Sequence, residues 1–481
     1  MTVLVIDVGT SGLRASIVRP DGLIEHLVYQ AFPPISPLPG LVEFDAAAMR
    51  DAVLFVARKS LAGAGHVDGV GITNQRASTI LWDHDTGEPI GPALGWQDLR
   101  TVMECIAARA EHDLILAPNQ TATKVAWMLQ NYPIRDRTRI RIGTVDTWVA
   151  HVLSQGELHV TDFSNAAVTG LLTPGTSSWS TKAMNAMGID ASMLPTVVHS
   201  SGIVGNAHAL VGAPPIASMI GDQQASLIGQ GCITPGRTKI TFGTGGMLDI
   251  FTGVNPPLTP QRGLHGTFPI VAYSDSDGVS WGAEAIMLSA GTNIEWLHDD
   301  LQIIDSAEQS DEIAAQVDST DSVVFVPALL GLGTPHWDYG ARGALFGITR
   351  GTTRAHIVRA VLEGIAHRGA DLVDAAIGDT GLSIETLRVD GGMSRNRTFI
   401  QALANAAMLP IEVSPVTEAT TLGAAFLAGI RVGTWGSLAD AVSTWKPATI
   451  VNPTTPLDRT QWQEAVNRSR GWIPALSSLD F

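Results

Sequence analysis

Short apolar runs separated by turn residues dominate the beginning of the chain. Residues 3–6, 13–18 and 23–30 predict three antiparallel strands, because turns rich in glycine and proline separate them. From 44 to 62 the apolar residues recur at helical spacing behind Asp45, which is a predicted N-cap. Residues 67–73 then predict a buried strand. The first part of the chain therefore predicts an antiparallel meander followed by a helix and a further strand.

The same pattern starts again near residue 235. Residues 239–242 and 247–251 predict a second pair of strands around a glycine-rich turn. We interpret this as an internal duplication and predict two domains, residues 1–235 and 236–481.

Three further stretches complete the predicted organisation. Residues 161–172 predict irregular connecting structure. A long amphipathic helix is predicted from Thr353 to about 376, and a helix rich in glycine and alanine at 421–430 suits close packing against another element.

Composition narrows the class of protein. The 481 residues, 45% of them hydrophobic, suffice for two or three domains with separate cores. The net charge of −16 argues against nucleic acid or an anionic membrane as partner, but a polyanion such as ATP can still be held locally. Two cysteines without a Cys-x-x-Cys motif, and no apolar run near the roughly 18 residues of a membrane span, predict a soluble cytoplasmic protein.

Two glycine-threonine turns and one aspartate suggest phosphate chemistry. Asp7–Gly12 and Gly243–Gly246 each lie between predicted strands, where backbone amides can surround a phosphate. Either turn alone fits an ordinary hairpin better. The pair, with Asp7 placed to hold a hydrated divalent cation, favours phosphate binding. Asp222 follows an apolar run and opens a predicted helix, so the pattern suggests phosphoryl transfer to a hydroxyl.

Other function classes have weaker support. The chain has no Gly-x-x-x-x-Gly-Lys-Ser/Thr loop, no dinucleotide-binding fingerprint, no zinc-ligand spacing and no Gly-x-Ser-x-Gly elbow. Asp-Thr-Gly triplets at Asp85 and Asp379 are the kind used by aspartic proteases, but neither follows the apolar strand that such an enzyme needs. Asp390–Gly392 fits a phosphate-binding turn and a structural turn about equally well.

Five segments together give the chain a recognisable family character. It resembles the FGGY carbohydrate kinases, most closely their glycerol kinase branch, from residue 3 to about 435. The segments that carry the resemblance are 71–76, 143–148, 221–224, 342–351 and 389–392. The resemblance implies an α/β fold of the actin/hexokinase (ribonuclease H-like) type, with two duplicated domains and an ATP and substrate cleft between them. It also implies ATP and Mg²⁺ as cofactors, and family members are often dimers or tetramers.

The resemblance also implies roles for individual residues. Asp222 would be the general base, and Asp7 and Asp222 would position the metal. The residues implied to bind the nucleotide are Thr10, Ser11, Arg14, Gly243, Thr244, Gly291, Glu295, Gly392, Met393 and Asn396. The positions implied to line the substrate site are Arg76, Ala77, Trp96, Asn119, Asp222, Gln223 and Met247.

Three of these substrate positions depart from the glycerol kinase pattern. Ala77 stands where that branch has a glutamate, Asn119 where it has a tyrosine, and Met247 replaces an aromatic residue. Smaller side chains predict a larger pocket with different hydrogen-bond demands. We therefore expect a kinase for a polyol or ketose somewhat larger than glycerol. The alternatives are a true glycerol kinase, a ketopentose (xylulose-type) kinase and an inactive actin-like ATP-binding protein.

Overall fold

Two mixed β-sheets organise the protein, whose computed structural model describes residues 1–257 and 261–478. The first sheet has the strand order β5-β6-β4-β1-β2-β3. Its strands are β1 (Val3–Val8), β2 (Gly12–Val18), β3 (Ile24–Ala31), β4 (Gly69–Asn74), β5 (Ser201–Asn206) and β6 (Pro215–Gly221). β1, β2 and β3 form the predicted antiparallel meander, whereas β4 lies parallel to both β1 and β6. The ends of β1, β4 and β6 therefore meet at one edge of the sheet.

The second sheet repeats this connectivity. Its strands are β7 (Thr238–Phe242), β8 (Gly246–Gly253), β9 (Phe268–Asp275), β10 (Gly278–Met287), β11 (Leu387–Asp390), β12 (Ile411–Val413) and β13 (Thr449–Val451). Their order is β9-β10-β8-β7-β11-β12-β13. β7, β8 and β10 pair antiparallel, and β11 runs parallel to β7 on the other side. Each sheet therefore joins three antiparallel strands to a parallel pair.

The described residues also form four separate two-stranded sheets. The pairs are Glu43–Phe44 with Ala93–Leu94, Ile80–Asp83 with Ile140–Gly143, Val160–Asp162 with Thr196–Val198, and Val324–Val326 with Ala344–Phe346.

The described part of the chain also forms α-helices, several of which pack against the two sheets. In chain order they are α1 (Ala46–Ala64), α2 (Val102–His112), α3 (Thr121–Asn131), α4 (Val145–Leu153), α5 (Phe163–Ala167), α6 (Thr181–Met187), α7 (Asp222–Gly229), α8 (Thr292–Glu295), α9 (Gln309–Ala314), α10 (Arg354–Thr380), α11 (Arg397–Ala407), α12 (Ala419–Val432), α13 (Leu438–Val442), α14 (Arg459–Ser469) and α15 (Pro474–Ser477). Asp45 caps α1 as predicted, accepting hydrogen bonds from the backbone N–H groups of Ala47 and Ala48. Within the described ranges, no helix is both long and apolar enough to cross a membrane.

The predicted helix rich in glycine and alanine is confirmed as α12, which packs against α7. Gly423 and Gly229 make this approach possible, because a methyl group added at either would overlap a backbone carbonyl oxygen of the facing helix. Side chains of α12 also join residues of β1 and β6 in one apolar core. A segment late in the chain thus supports the first sheet and the helix that begins at Asp222.

The prediction of irregular structure over 161–172 is wrong in its first half. Thr161 and Asp162 end a short strand, and α5 follows directly. Asp162 caps this helix by accepting hydrogen bonds from the backbone N–H groups of Ser164 and Asn165. Buried polar contacts rather than an apolar stripe hold the segment, so it carries no apolar periodicity.

Candidate active site

Asp222 lies at the edge of the first sheet where β1, β4 and β6 end. It opens α7, and its side chain remains 27% exposed. Its Oδ1 atom accepts a hydrogen bond of 2.8 Å from the backbone N–H of Gln223 and lies 3.6 Å from Nε of Arg76. Burial raises the pKa of Asp222, and the nearby Arg76 opposes this rise. The carboxylate is thus held in place, remains accessible and is a better base than a fully solvated aspartate.

Arg76 joins the two halves of the molecule. Its Nη2 atom donates a 2.7 Å hydrogen bond to Oε2 of Glu284 on β10, while Nε faces Asp222. Among the described residues, Nη1 of Arg76 is buried without a hydrogen-bond partner. A buried, unpaired N–H group is costly, so a hydroxyl-bearing ligand at this point would satisfy it.

A buried lysine fixes Gln223 from the opposite sheet. Nζ of Lys239 lies 2.7 Å from Oδ2 of Asp249, and neither side chain is exposed. The same ammonium group donates to Oε1 of Gln223 at 2.8 Å and to Oγ1 of Thr241 at 3.0 Å. The carbonyl of the Gln223 amide is therefore occupied, which leaves its NH₂ group to donate to a ligand.

Sequence reasoning missed three of these charged residues: Glu284, Lys239 and Asp249. They lie opposite one another on β10, β7 and β8, since Lys239 pairs with Asp249 and Asp249 with Glu284 in the strand ladders. One signal was available, namely a lysine and an aspartate inside runs otherwise typical of buried strands. Charged residues in such places are expected to be paired.

Two of the altered substrate positions lie close together. Ala77 has a φ of 62°, and its carbonyl oxygen accepts a 3.3 Å hydrogen bond from Nζ of Lys124. The same Nζ donates to the carbonyl oxygen of Asn119 at 2.9 Å. Met247 lies on β8, two residues before Asp249. A fully buried lysine thus joins the Ala77 and Asn119 loops, and sequence reasoning did not single it out.

The first glycine-threonine turn adjoins this region. Nε1 of Trp96 donates a 3.0 Å hydrogen bond to Oγ1 of Thr10, and Ser11 is exposed at the tip of the turn. Trp96 and Thr10, predicted for different ligands, are therefore in direct contact. This contact joins the predicted substrate side of the site to the predicted phosphate side.

Asp7 and Arg14 face each other across β1 and β2. Nε of Arg14 lies 3.3 Å from Oδ2 of Asp7, and its Nη1 atom forms an ion pair with Glu418, just before α12. Burial raises the pKa of Asp7 to about 7; Arg14 opposes this rise, and Asp222 and Glu418 add to it. The Asp222 carboxylate thus lies near enough to Asp7 to add to the rise of its pKa. Across the described ranges, no group of three or more His, Cys, Asp or Glu side chains is placed to hold a metal ion.

The second glycine-threonine turn brings several predicted nucleotide positions together. The N–H of Gly291 donates to the carbonyl oxygen of Gly243, and the N–H of Ala290 to that of Thr244, both at 2.8 Å. Gly243 and Thr244 are exposed. Glu295 is exposed at the end of α8, one turn after Gly291.

The remaining predicted positions follow β11, which pairs with β7. Gly391 has a φ of 88° and packs against the backbone of Phe242, and Gly392 is exposed beside it. Met393 is buried. The side chain of Asn396 caps α11 through the N–H of Phe399 and donates to Ser310. The structure therefore gives Asn396 two internal partners, and the open surface here is formed by the glycines.

Comparison with known proteins agrees with this architecture. The profile described as "FGGY family of carbohydrate kinases, N-terminal domain" matches residues 2–229, and the profile for the C-terminal domain of that family matches residues 238–432. A glycerol kinase of Solidesulfovibrio magneticus is 38% identical over 497 residues, covering 98% of this chain and 99% of the relative. A glycerol kinase of Gloeobacter violaceus is 37% identical over 502 residues, covering 98% and 97%.

Solved structures show the same likeness. Plasmodium falciparum glycerol kinase with ADP has a TM-score of 0.90 at 30% identity, covering 97% of this chain and 98% of that one. Ligand-bound xylulose kinase of Lactobacillus acidophilus has a TM-score of 0.85 at 20% identity, covering 99% and 98%, and shows the fold alone.

Two duplicated sheets with a polar site between them define a kinase of the actin-like fold. The chain belongs to the FGGY family of carbohydrate kinases and is similar to glycerol kinases over its full length. The predicted family, fold class and enzyme class are therefore confirmed.

Proposed function

We propose that this kinase transfers the γ-phosphate of ATP to a hydroxyl group of a small polyol or sugar, with Asp222 as general base. The observation that carries the proposal is the position of Asp222: an accessible carboxylate of raised pKa beside Arg76, at the sheet edge shared with Asp7. Phosphoryl transfer depends on alignment and charge neutralisation more than on covalent chemistry. This site offers both alignment of the acceptor and charge neutralisation.

The chain's own residues suffice for the acceptor half of the reaction. As the new O–P bond forms, the bond between the γ-phosphorus and the β,γ-bridging oxygen of ATP breaks and ADP leaves, while the acceptor hydroxyl passes its proton to the carboxylate of Asp222. The unpaired N–H of Arg76 and the NH₂ group of Gln223 are available to hold the other hydroxyls. Because Lys239 and Glu284 fix these two side chains, they need little reorganisation when the acceptor binds.

The residues of the phosphate side fit a nucleotide and a divalent cation. Exposed turn residues at Ser11 and Thr244 offer backbone amides and hydroxyls, and Arg14 offers a cation. Burial raises the pKa of Asp7 and the Asp222 carboxylate adds to the rise, so a divalent cation would stabilise the charged form of Asp7. One or two carboxylates together with phosphate oxygens form a usual Mg²⁺ site, and the cation would neutralise charge on the transferred group.

For the acceptor, we propose a polyol or ketose of four or five carbons. The backbone carbonyl oxygens of Ala77 and Asn119 meet at Lys124, so the two loops lie together. We expect the short side chains at these positions to leave a wider pocket than glutamate and tyrosine would. Glycerol is the second candidate, because the full-length relatives are glycerol kinases. A ketopentose is included among the five-carbon candidates.

The test is a coupled ADP-release assay with Mg-ATP against glycerol, tetritols, pentitols and ketopentoses. Transfer to a larger acceptor at a higher kcat/KM than to glycerol is expected; a clear preference for glycerol would contradict the enlarged pocket. Asp222→Asn should lower kcat by about 10²–10⁴ while ATP still binds. The exposed Asp113→Asn is the matched control. An inactive ATP-binding protein would show no transfer in any form.

The domain boundary, the oligomeric state and the cellular location remain predictions. The predicted domain boundary between residues 235 and 236 can be tested by limited proteolysis. The predicted dimer or tetramer can be tested by light scattering. A cytoplasmic location is supported by Cys105 and Cys232, which are buried and free of disulfides. Fractionation of cells that express the protein would test it.

A further inference from the structure

The first turn of α5 contacts both segments that carry the acceptor site, through the backbone N–H before Asp222 and through the Asn74 side chain before the Arg76 loop. Oγ of Ser164 accepts a 2.9 Å hydrogen bond from the backbone N–H of Gly221, the residue before Asp222. The amide of Asn165 makes two hydrogen bonds with the amide of Asn74, at 3.0 and 3.2 Å. Asn74 in turn donates to the carbonyl oxygen of Gln75, next to Arg76. Two neighbouring residues thus contact both loops at once.

A buried carboxylate anchors this turn. Asp162 accepts hydrogen bonds of 2.8 to 2.9 Å from the backbone and side chains of Ser164 and Asn165, and one of 2.7 Å from Ser200. Its own N–H donates to Asp146 at 3.0 Å. Asp146 belongs to the 143–148 segment, for which the proposed reaction has no direct use. All these side chains are buried and mutually hydrogen-bonded, and such networks rigidify what they contact.

The aliphatic part of Arg76 packs against Gly221, but among the described residues no short hydrogen bond holds Asp222 to Arg76. Their closest ion-pair distance is 3.6 Å, beyond a normal hydrogen bond, and the tight contact of Arg76 is to Glu284. The parallel ladder between β4 and β6 ends with the pair Asn74 and Gly221. Beyond this pair the sheet no longer sets the spacing of the two loops, and here the α5 contacts begin.

We propose that Ser164 and Asn165 are positioning residues, which set the spacing between the Asp222 loop and the Arg76 loop. The inference rests on the proposed function, in which Asp222 is the base and Arg76 holds the acceptor. A displacement of about 1 Å can cost roughly 10²-fold in rate, so loss of one backbone anchor should affect turnover more than binding.

Ser164→Ala is the test variant, because it removes the hydroxyl that both accepts from Gly221 and donates to Asp162. Ser164→Thr keeps the hydroxyl and is the rescue variant. Ser218→Ala is the matched control, since Ser218 is buried on β6 and loses one hydrogen bond, to the carbonyl oxygen of Ala424 at 2.8 Å. Steady-state kinetics, melting temperature and hydrogen–deuterium exchange of residues 219–226 are measured for all three.

We expect Ser164→Ala to lower kcat about tenfold or more, with the KM for ATP within about twofold of wild type. Ser164→Thr and Ser218→Ala should keep most of the activity, and exchange at 219–226 should rise only in Ser164→Ala. The proposal is overturned if Ser164→Ala and Ser218→Ala lose activity equally, or if a Thr variant that melts like wild type is as slow as the Ala variant. If wild type phosphorylates no acceptor, the proposed function fails. The anchoring role is tested separately by hydrogen–deuterium exchange, and unchanged exchange of residues 219–226 in Ser164→Ala would overturn it.

Discussion

Lys124 should make the free energy of unfolding depend on pH. A single substitution can isolate its contribution. The side chain is fully buried, and its ammonium group donates to two neutral acceptors, the carbonyl oxygens of Ala77 and Asn119. Burial lowers its pKa from 10.5 to about 7, although Asp98 opposes this change. The perturbation is Lys124→Met, which keeps the length of the chain and removes the titrating group.

The sign follows from where the proton is held. Below pH 7, Lys124 is charged in both the folded and the unfolded state, so its contribution does not change with pH. Between pH 7 and 10 the folded protein releases this proton and the unfolded chain keeps it, so stability rises with pH. At about 1.4 kcal/mol per pH unit, the rise over this interval is about 4 kcal/mol.

The measurement is the melting temperature of wild type and Lys124→Met from pH 6 to 10. All other groups titrate in both proteins, so the difference between the two curves reports Lys124. For a domain of about 200 residues, about 4 kcal/mol corresponds to roughly 8 °C in melting temperature. The melting temperature of wild type, relative to that of Lys124→Met, should therefore rise by this amount from the acid to the alkaline end of the range. Lys182→Met, at an exposed lysine, controls for loss of a charge. Parallel curves for wild type and Lys124→Met would refute the reasoning.

Three further substitutions test other contacts of the site. Glu418→Gln should lower the KM for ATP about fivefold, because a partly exposed ion pair worth about 1 kcal/mol no longer competes for Arg14; an unchanged or higher KM would contradict this. Gly423→Ala should destabilise the protein by about 1–3 kcal/mol in urea unfolding, because the added methyl overlaps the carbonyl of Ala225; an unchanged midpoint would rule out close packing there. Asn119→Tyr should shift kcat/KM about tenfold towards glycerol over a pentitol in the ADP-release assay, and no shift would place the pocket wall elsewhere.

Local patterns in the sequence were sufficient for the main elements of the fold. The alternation of apolar runs and turns predicted the meander of β1 to β3, and helical spacing predicted α1 and α10. These signals are local, because a strand or helix buries one face at a fixed period. The prediction of irregular structure over 161–172 failed for the same reason, because buried polar contacts at Asp162 rather than regularly spaced apolar residues hold this segment.

The arrangement of the site needed more than local patterns. Arg76 and Glu284 are separated by 208 residues in the chain, and Arg14 and Glu418 by 404. A strand pattern states which face a side chain occupies, but not which side chain lies opposite. The partners of Arg76 and Arg14 therefore could not be read from their own neighbourhoods.

The sequence by itself determined the class of protein, and it predicted the residues at the centre of the proposed reaction. Glycine turns and the aspartates Asp7 and Asp222 are local features that suggest phosphoryl transfer, and the resemblance of five segments to one family predicts a duplicated kinase. Only the tertiary structure decided that Lys239 fixes Gln223 and that Ser164 contacts the backbone before Asp222. These contacts arise where two sheets and a short helix meet, because folding there brings together polar groups from distant segments that must be paired once buried.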